Sequence, residues 1–244
     1  MIDKIIKGDC VKEMKRFPNE CVDLIFTDPP YNIGFTYDTY DDNKTDDDYL
    51  LWCRFWLSEC YRILKKTGSM YIVIGDEYAA EINIILKELG FSFRNWIIWY
   101  YGFGQNQRKK FSRSHAHVFY FTKDAKNFTF NIDDIRVPSV RMQMGDKRAN
   151  PKGKVPDDVW KISRIAGTFN ERIKGFPCQM PLELVKRAIK ASSNPNDLVF
   201  DPFMGSGTTA VAAKMLNRNY LGIEISESYF EIIKDRLENK EMIE

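Results

Sequence analysis

Five stretches of this chain, 22–27, 69–74, 91–101, 198–200 and 220–225, are largely apolar runs rather than alternating ones. A strand shows that pattern when both of its faces are covered. The segments between them carry helix signals. Thr45 can cap a helix, with Asp48 three residues on. Leu50, Cys53, Leu57, Cys60 and Leu64 then form one buried stripe, with Gly68 as its expected stop. Residues 77–89 form another helix, ended by Gly90, and 208–216 a third. The pattern predicts an α/β fold with a doubly wound, mostly parallel sheet, whose ligands bind at the carboxyl ends of the strands. A further strand at 115–122 is expected to be antiparallel or at the edge. At 244 residues the chain fits one domain with a small insertion.

The first strand ends in Asp28-Pro29-Pro30-Tyr31. A carboxylate, two prolines and an aromatic ring there make a rigid, flat-faced polar pocket. The Asp28 carboxylate and the Pro29 carbonyl can each accept one hydrogen of an exocyclic amine, and Tyr31 can stack on a heterocyclic base. The prolines fix φ and remove two competing backbone donors. Pro-Pro alone also marks ordinary turns.

A second segment adds weight. Asp201-Pro202-Phe203-Met204-Gly205-Ser206-Gly207-Thr208-Thr209 follows one strand and opens a helix. Free N–H groups at that helix start suit a carboxylate or a phosphate. A phosphate loop would need Gly-Lys-Ser/Thr, and lysine is missing from these nine residues. Asp201 suits a cationic group beside the carboxylate, as in an amino acid. Glu224, ending the next strand, suits ribose hydroxyls. An amino-acid end and a ribose together describe S-adenosylmethionine better than a dinucleotide.

With both motifs in place the chain resembles the amino-group DNA methyltransferases of the beta arrangement, which carry the catalytic segment first and the cofactor glycines last. The resemblance covers nearly the whole chain, including Ile6-Lys7-Gly8-Asp9-Cys10, Gly68-Ser69-Met70-Tyr71-Ile72 and Phe176-Pro177-Cys178-Gln179-Met180-Pro181. The last of these is similar to the family's His-Pro-x-Gln-Lys-Pro, with Phe176 and Met180 replacing His and Lys. The resemblance implies a Rossmann-like, seven-stranded sheet. It implies a catalytic half at 1–124, a target-recognition insertion at 125–175 and a cofactor-binding half at 176–244. Asp28, Pro29, Pro30 and Tyr31 would be catalytic. Asp9, Cys10, Asp28, Gln179, Asp201, Pro202, Phe203, Gly205, Ser206, Gly207, Thr208, Thr209 and Glu224 would bind the cofactor. The implied reaction is methylation of adenine N6 in double-stranded DNA, on a base flipped out of the helix. Cytosine N4 offers the same amine chemistry. A protein glutamine methyltransferase uses a similar Pro-Pro-Tyr, but motif order argues against it. A homodimer and a cognate restriction endonuclease are compatible with the resemblance; the residues decide neither.

Charge distribution fits a nucleic-acid partner. The net charge is only +2, yet 136–174 holds ten Lys/Arg against four acids. Arg108, Lys109, Lys110 and Arg113 add a second basic stretch around Phe111, while 38–48 holds six aspartates and one lysine. Such asymmetry suits one face turned toward phosphates. Expected DNA contacts are Arg108, Lys109, Lys110, Arg113, Arg141, Lys147, Arg148, Lys152 and Arg164. Cys10, Cys21, Cys53, Cys60 and Cys178 form no Cys-x-x-Cys pair, so neither a disulfide framework nor a zinc site is expected. His115 and His117 share one strand face, but a metal would need a third ligand that the sequence does not indicate. No run has the length of a membrane span and no signal pattern opens the chain, so a cytoplasmic setting is expected.

Overall fold

The computed structural model describes residues 2–238 except 103, 105, 106, 168 and 175. In chain order the elements are β1 (Lys4–Lys7), α1 (Cys10–Met14), β2 (Val22–Thr27), α2 (Asp46–Ile63), β3 (Leu64–Ile74), α3 (Ala79–Glu88), β4 (Ser92–Tyr100) and β5 (His115–Thr122). A 3-10 turn (Ile132–Ile135) and the short α4 (Val140–Gln143) follow, then β6 (Val159–Lys161), α5 (Leu182–Ser192), β7 (Leu198–Asp201), α6 (Thr208–Met215), β8 (Asn219–Glu224) and α7 (Glu227–Glu238). The strands form one sheet in the order β1-β8-β7-β2-β3-β5-β4-β6. Only the two pairings made by β5, with β3 and β4, are antiparallel. None of the described helices is long and apolar enough to cross a membrane.

Both faces of the sheet are buried, and the two-residue period of each strand divides them. Ile25, Met70 and Ile72 pack with Met14, Trp56 and Ile85 of α1, α2 and α3. Leu24, Phe26, Tyr71 and Val73 pack with Leu184, Val185 and Ala212 of α5 and α6. This explains the apolar runs of β2, β3 and β7, where successive side chains meet a helix layer on alternate faces, while β4 is covered only in part, with residues 93–95 exposed. Cys53 and Cys60 are fully buried in the first layer.

Among the described residues the sheet has eight strands, not seven. The extra one is β6, from the 125–175 segment, paired parallel to β4 through Ile98↔Val159, Trp99↔Trp160 and Tyr100↔Lys161. Three residues with one buried side chain give no readable period. β5 lies inside the sheet rather than at its edge. Gly68 does not stop α2. The helix runs directly into β3 at Leu64, and Gly68 sits within that strand. The glycine is needed for close approach: a Cβ there would lie 2.5 Å from Leu64 Cδ1 and 2.9 Å from the Asp23 carbonyl oxygen. Thr45 does cap α2, its Oγ accepting from Asp48 N at 3.2 Å.

β2 and β7 are parallel neighbours, with Ile25 opposite Phe200. From β2 the chain moves outward to β3; from β7 it moves the other way, to β8. Asp28 and Asp201 therefore emerge side by side where strand order reverses, the place at which such sheets open a crevice.

Candidate active site

Two cavities meet at Asp28. The first is lined by the ends of β2, β7 and β8, by Gly8–Cys10 and by residues 37–40. The second opens on the other side of Asp28, Pro29 and Tyr31, toward Tyr101, Lys110 and Arg164. Tyr37, Cys178 and Met180 line both.

In the first cavity the glycine turn is built by carboxylates. Asp201 Oδ1 accepts from Phe203 N at 3.0 Å, and its Oδ2 accepts from the Thr209 hydroxyl at 2.7 Å. Glu224 Oε2 accepts from Gly205 N at 2.7 Å, and Oε1 from Ser226 N at 2.9 Å. Gly205 and Gly207 have φ of 53° and 78°, in the left-handed region. Buried Arg236 of α7 supports the turn from beneath, donating to the Ser206 carbonyl at 2.9 Å and Thr208 Oγ at 3.0 Å. No motif points to this residue, because an arginine on an amphipathic helix reads as solvated.

Burial pushes these acids up: Asp28 to about 7, Asp201 to about 6 and Glu224 to about 7. For Asp28 the hydrogen bond from Tyr31 and the charge of Arg164 work against that rise, and Asp201 adds to it. Among the described residues this cavity is lined by Asp9, Asp28, Asp38, Asp201 and Glu224 and by no Lys or Arg. A lining of that sign fits a ligand carrying a sulfonium and an ammonium, and opposes a dinucleotide with two phosphates. The free N–H groups at the start of α6 remain for a carboxylate, whereas the Thr208 hydroxyl is already engaged, donating to the Met180 carbonyl at 3.2 Å.

Most of the expected cofactor residues line this cavity: Asp9, Cys10, Asp28, Asp201, Pro202, Phe203, Gly205, Ser206, Thr208, Thr209 and Glu224. Two stand apart. Gly207 serves the turn, where a Cβ would lie 3.0 Å from Ile233. Gln179 faces the second cavity, and its amide holds the backbone, accepting from Ile173 N at 2.8 Å and donating to the Glu171 carbonyl at 2.6 Å. Tyr229, packed on Phe176 with centroids 4.6 Å apart, lines the first cavity without a sequence signal.

Segment 32–45 straps the two strand ends together. Asp42 is 3% exposed, and its oxygens accept from the N–H groups of Asn32, Ile33 and Phe35 at 2.8–3.1 Å. Across the first cavity Asp38 accepts from the hydroxyls of Ser226 at 2.5 Å and Ser228 at 2.8 Å. Past the end of β2 Tyr31 donates its hydroxyl to Asp28 Oδ1 at 2.5 Å. Tyr49 donates to the Pro30 carbonyl at 2.7 Å. The Pro29 carbonyl accepts no hydrogen bond among the described residues. Asp28 and Pro29 thus offer the two acceptors that an amine requires.

The expected DNA contacts differ in their surroundings. Arg108, Lys109 and Lys110 are exposed, as are Arg141 and Lys147. Arg148 pairs with Asp146 at 2.9 Å and Lys152 with Asp133 at 2.5 Å, both on the surface. Arg113 is held by Asp76 at 3.0 Å and Glu77 at 2.5 Å, which neutralises it.

The fold also supplies the third group near the histidines. Asp76, just past β3, lies with His115 and His117 so that one ligand atom of each falls within 4.8 Å of the others. Hydrogen bonding, however, occupies them. Trp96 Nε1 donates to His117 Nδ1 at 2.8 Å, which leaves the proton of the neutral ring on Nε2. That atom is 3.0 Å from Asp76 Oδ1, and Arg113 takes the other oxygen. A cation would have to displace a proton and a guanidinium, so the donor set favours a hydrogen-bonded brace.

Comparison with known proteins agrees with this geometry. The chain matches the DNA methylase family of N6/N4 methyltransferases over residues 22–235. It is 42% identical to the type II methyltransferase M.HpaI of Haemophilus parainfluenzae, across 98% of this chain and 76% of that one. It is 39% identical to the DNA adenine methyltransferase YhdJ of Escherichia coli K12, across 96% and 82%. Among solved structures it superposes on M1.HpyAVI in complex with SAM with a TM-score of 0.71, at 28% identity, covering 97% of this chain and 99% of that one. It shares its fold with the cytosine-N4-specific PvuII methyltransferase, with a TM-score of 0.76 at 19% identity over 98% and 87% of the two chains. The match over most of the chain, at a site whose acids suit a sulfonium, leads to one conclusion: this chain belongs to the family of DNA methylases that use S-adenosylmethionine as methyl donor.

Proposed function

We propose that the protein methylates adenine N6 in duplex DNA, at a base rotated out of the helix into the second cavity. The observation that carries this is the acceptor pair at the junction of the cavities, the Asp28 carboxylate and the unengaged Pro29 carbonyl. The amine of adenine is a weak nucleophile because its lone pair is delocalised into the ring. Two acceptors on its hydrogens favour a pyramidal nitrogen and aim the lone pair across the junction. S-Adenosylmethionine supplies an electrophilic methyl on a sulfonium sulfur. The chain contributes position and electrostatics, and no covalent enzyme intermediate is required. Cys178, exposed on the rim, is not called upon as a nucleophile.

Adenine is favoured because Asp28 heads the catalytic segment, where the cytosine-N4 members often carry Ser. The adenine methyltransferase among the relatives supports the same choice. Exposed Arg108, Lys109 and Lys110, with the basic segment 136–174, would face the phosphates. Relatives named as type II methyltransferases support a cytoplasmic restriction–modification role with a cognate endonuclease. A homodimer is the proposed assembly, to be checked by solution mass. The central experiment incubates protein with unmethylated DNA and labelled cofactor, then digests the DNA to nucleosides. Label is expected in N6-methyladenine. Label only in N4-methylcytosine would overturn the base assignment, and label in neither would overturn the DNA reading. Methylation-aware sequencing of DNA from expressing cells identifies the site.

The raised carboxyls carry a pH signature. Their folded values lie above those of the unfolded chain, so their contribution to stability is complete below about pH 4 and fades as pH rises through about 6 to 7. The empty protein should melt progressively lower between pH 5 and pH 8. A cationic cofactor favours the ionised acids, so its stabilising effect should be larger at pH 8 than at pH 5.5. Scanning calorimetry with and without cofactor measures both; a cofactor-induced shift independent of pH would contradict the assignment of these acids to the site.

A further inference from the structure

The basic residues of the second cavity are not equivalent. Lys110 lies in an exposed loop, Arg113 is spent on Asp76 and Glu77, and Arg172 is turned to the backbone, donating to the Ile165 carbonyl at 3.4 Å. Arg164 makes no ion pair among the described residues, yet it is carried on a rigid support. β6 adds to β4, Ile98 N donates to the Asp158 carbonyl at 2.8 Å, and Ile162 N donates to the Tyr100 carbonyl at 3.1 Å. Trp99 Nε1 closes the attachment, donating to the Ile162 carbonyl at 2.7 Å. Trp160, Ile162 and Ile165 are buried on either side. Arg164 thus stands three residues after β6, on a segment anchored to the sheet through Ile162. That segment delivers the Arg164 guanidinium over the ring of Tyr101, 4.9 Å from the centroid, in the cavity that holds Asp28, Pro29 and Tyr31.

A guanidinium stacked on a ring keeps its in-plane N–H groups for a bidentate anion. Its place beside the target amine argues against contact with that amine. Transfer puts positive charge on the nitrogen, which a cation would oppose, and the two acceptors are already provided. The anion that accompanies a nucleotide into this cavity is its own phosphodiester.

On the base-flipping reading above, we infer that Arg164 binds a phosphate flanking the target nucleotide and holds that nucleotide in its extrahelical position. It would thus act on the rotated state rather than on recognition of the duplex.

The test uses the full chain, cofactor and two duplexes bearing the mapped site, one with 2-aminopurine at the target to read base rotation and one with adenine there to read turnover. Wild type should raise the fluorescence strongly. Arg164→Ala should reduce that rise at least about fivefold and turnover about 100-fold, with cofactor affinity unchanged as the control for folding. Arg164→Lys should recover part of both, as a point charge without the fork. A neutral methylphosphonate at one of the two phosphates flanking the target should reproduce the defect in wild type and add nothing in Arg164→Ala. Multiplying effects at both linkages would overturn the inference. So would intact fluorescence with an altered sequence preference, the sign of base-edge reading. A wild type that places no methyl on DNA defeats the parent reading instead; an active wild type with multiplying effects defeats this one alone.

Discussion

Asp28→Ala is expected to reduce kcat about 1000-fold, the scale of losing one preorganised group in a water-poor site. Cofactor affinity should stay within about threefold, because the lost contact counts mainly in the transition state. The resting enzyme already shows the demand on this carboxylate. Tyr31 occupies one of its oxygens, and burial holds its pKa at about 7. A protonated Asp28 would meet an amine hydrogen with its own O–H. The kcat/KM of wild type should therefore rise with pH along a limb centred near 7, the value for the free enzyme. Asp28→Asn should flatten that limb, since an amide keeps one acceptor oxygen and does not titrate. Single-turnover transfer across pH reads both results. A variant retaining wild-type kcat would remove Asp28 from the chemistry.

The second large effect is expected at Glu224. Its two oxygens hold Gly205 N and Ser226 N, so it fastens the glycine turn as well as facing the cavity. Glu224→Ala removes charge-assisted bonds on both sides and should weaken S-adenosylmethionine binding about 30- to 150-fold, or about 2–3 kcal/mol. At saturating cofactor, kcat should remain within about fivefold, because Asp28 and Pro29 are untouched. Glu224→Gln should fall between, retaining an acceptor for one of the two N–H groups. Calorimetric titration checks the affinity, and an unchanged constant in a folded variant would exclude Glu224 from the site.

The readable parts of this molecule are those where chemistry and chain direction coincide. Asp28 and Asp201 each follow an apolar run, and a strand end in a parallel sheet has only one side on which to form a pocket. Their meeting could be inferred before any coordinate. Features that depend on packing across the chain were hidden. Val159–Lys161 is too short to show a period, and its pairing depends on β4, about sixty residues away. Gly68 looked like a helix stop because its actual neighbours, Leu64 and Asp23, meet only once β2 and β3 align. Asp76 reaches His117 only through the antiparallel register of β3 and β5. Gln179 was recognisable as a motif residue, but its amide serves the 171–173 backbone rather than the cofactor cavity.

The strap at 32–45 has a thermodynamic consequence. It continues directly from Tyr31, is folded on itself by Asp42 and is tied to the end of β8 through Asp38, and its Tyr37 forms part of both cavities. Any ligand that quiets this segment meets part of the ordering cost for the other. Donor and acceptor of the methyl group are then not independent visitors. Whatever factor one gains from the presence of its companion, the companion gains equally. The same rule works in reverse after transfer, when loss of the sulfonium charge leaves the acidic cavity less attractive and loosens the hold on the modified base.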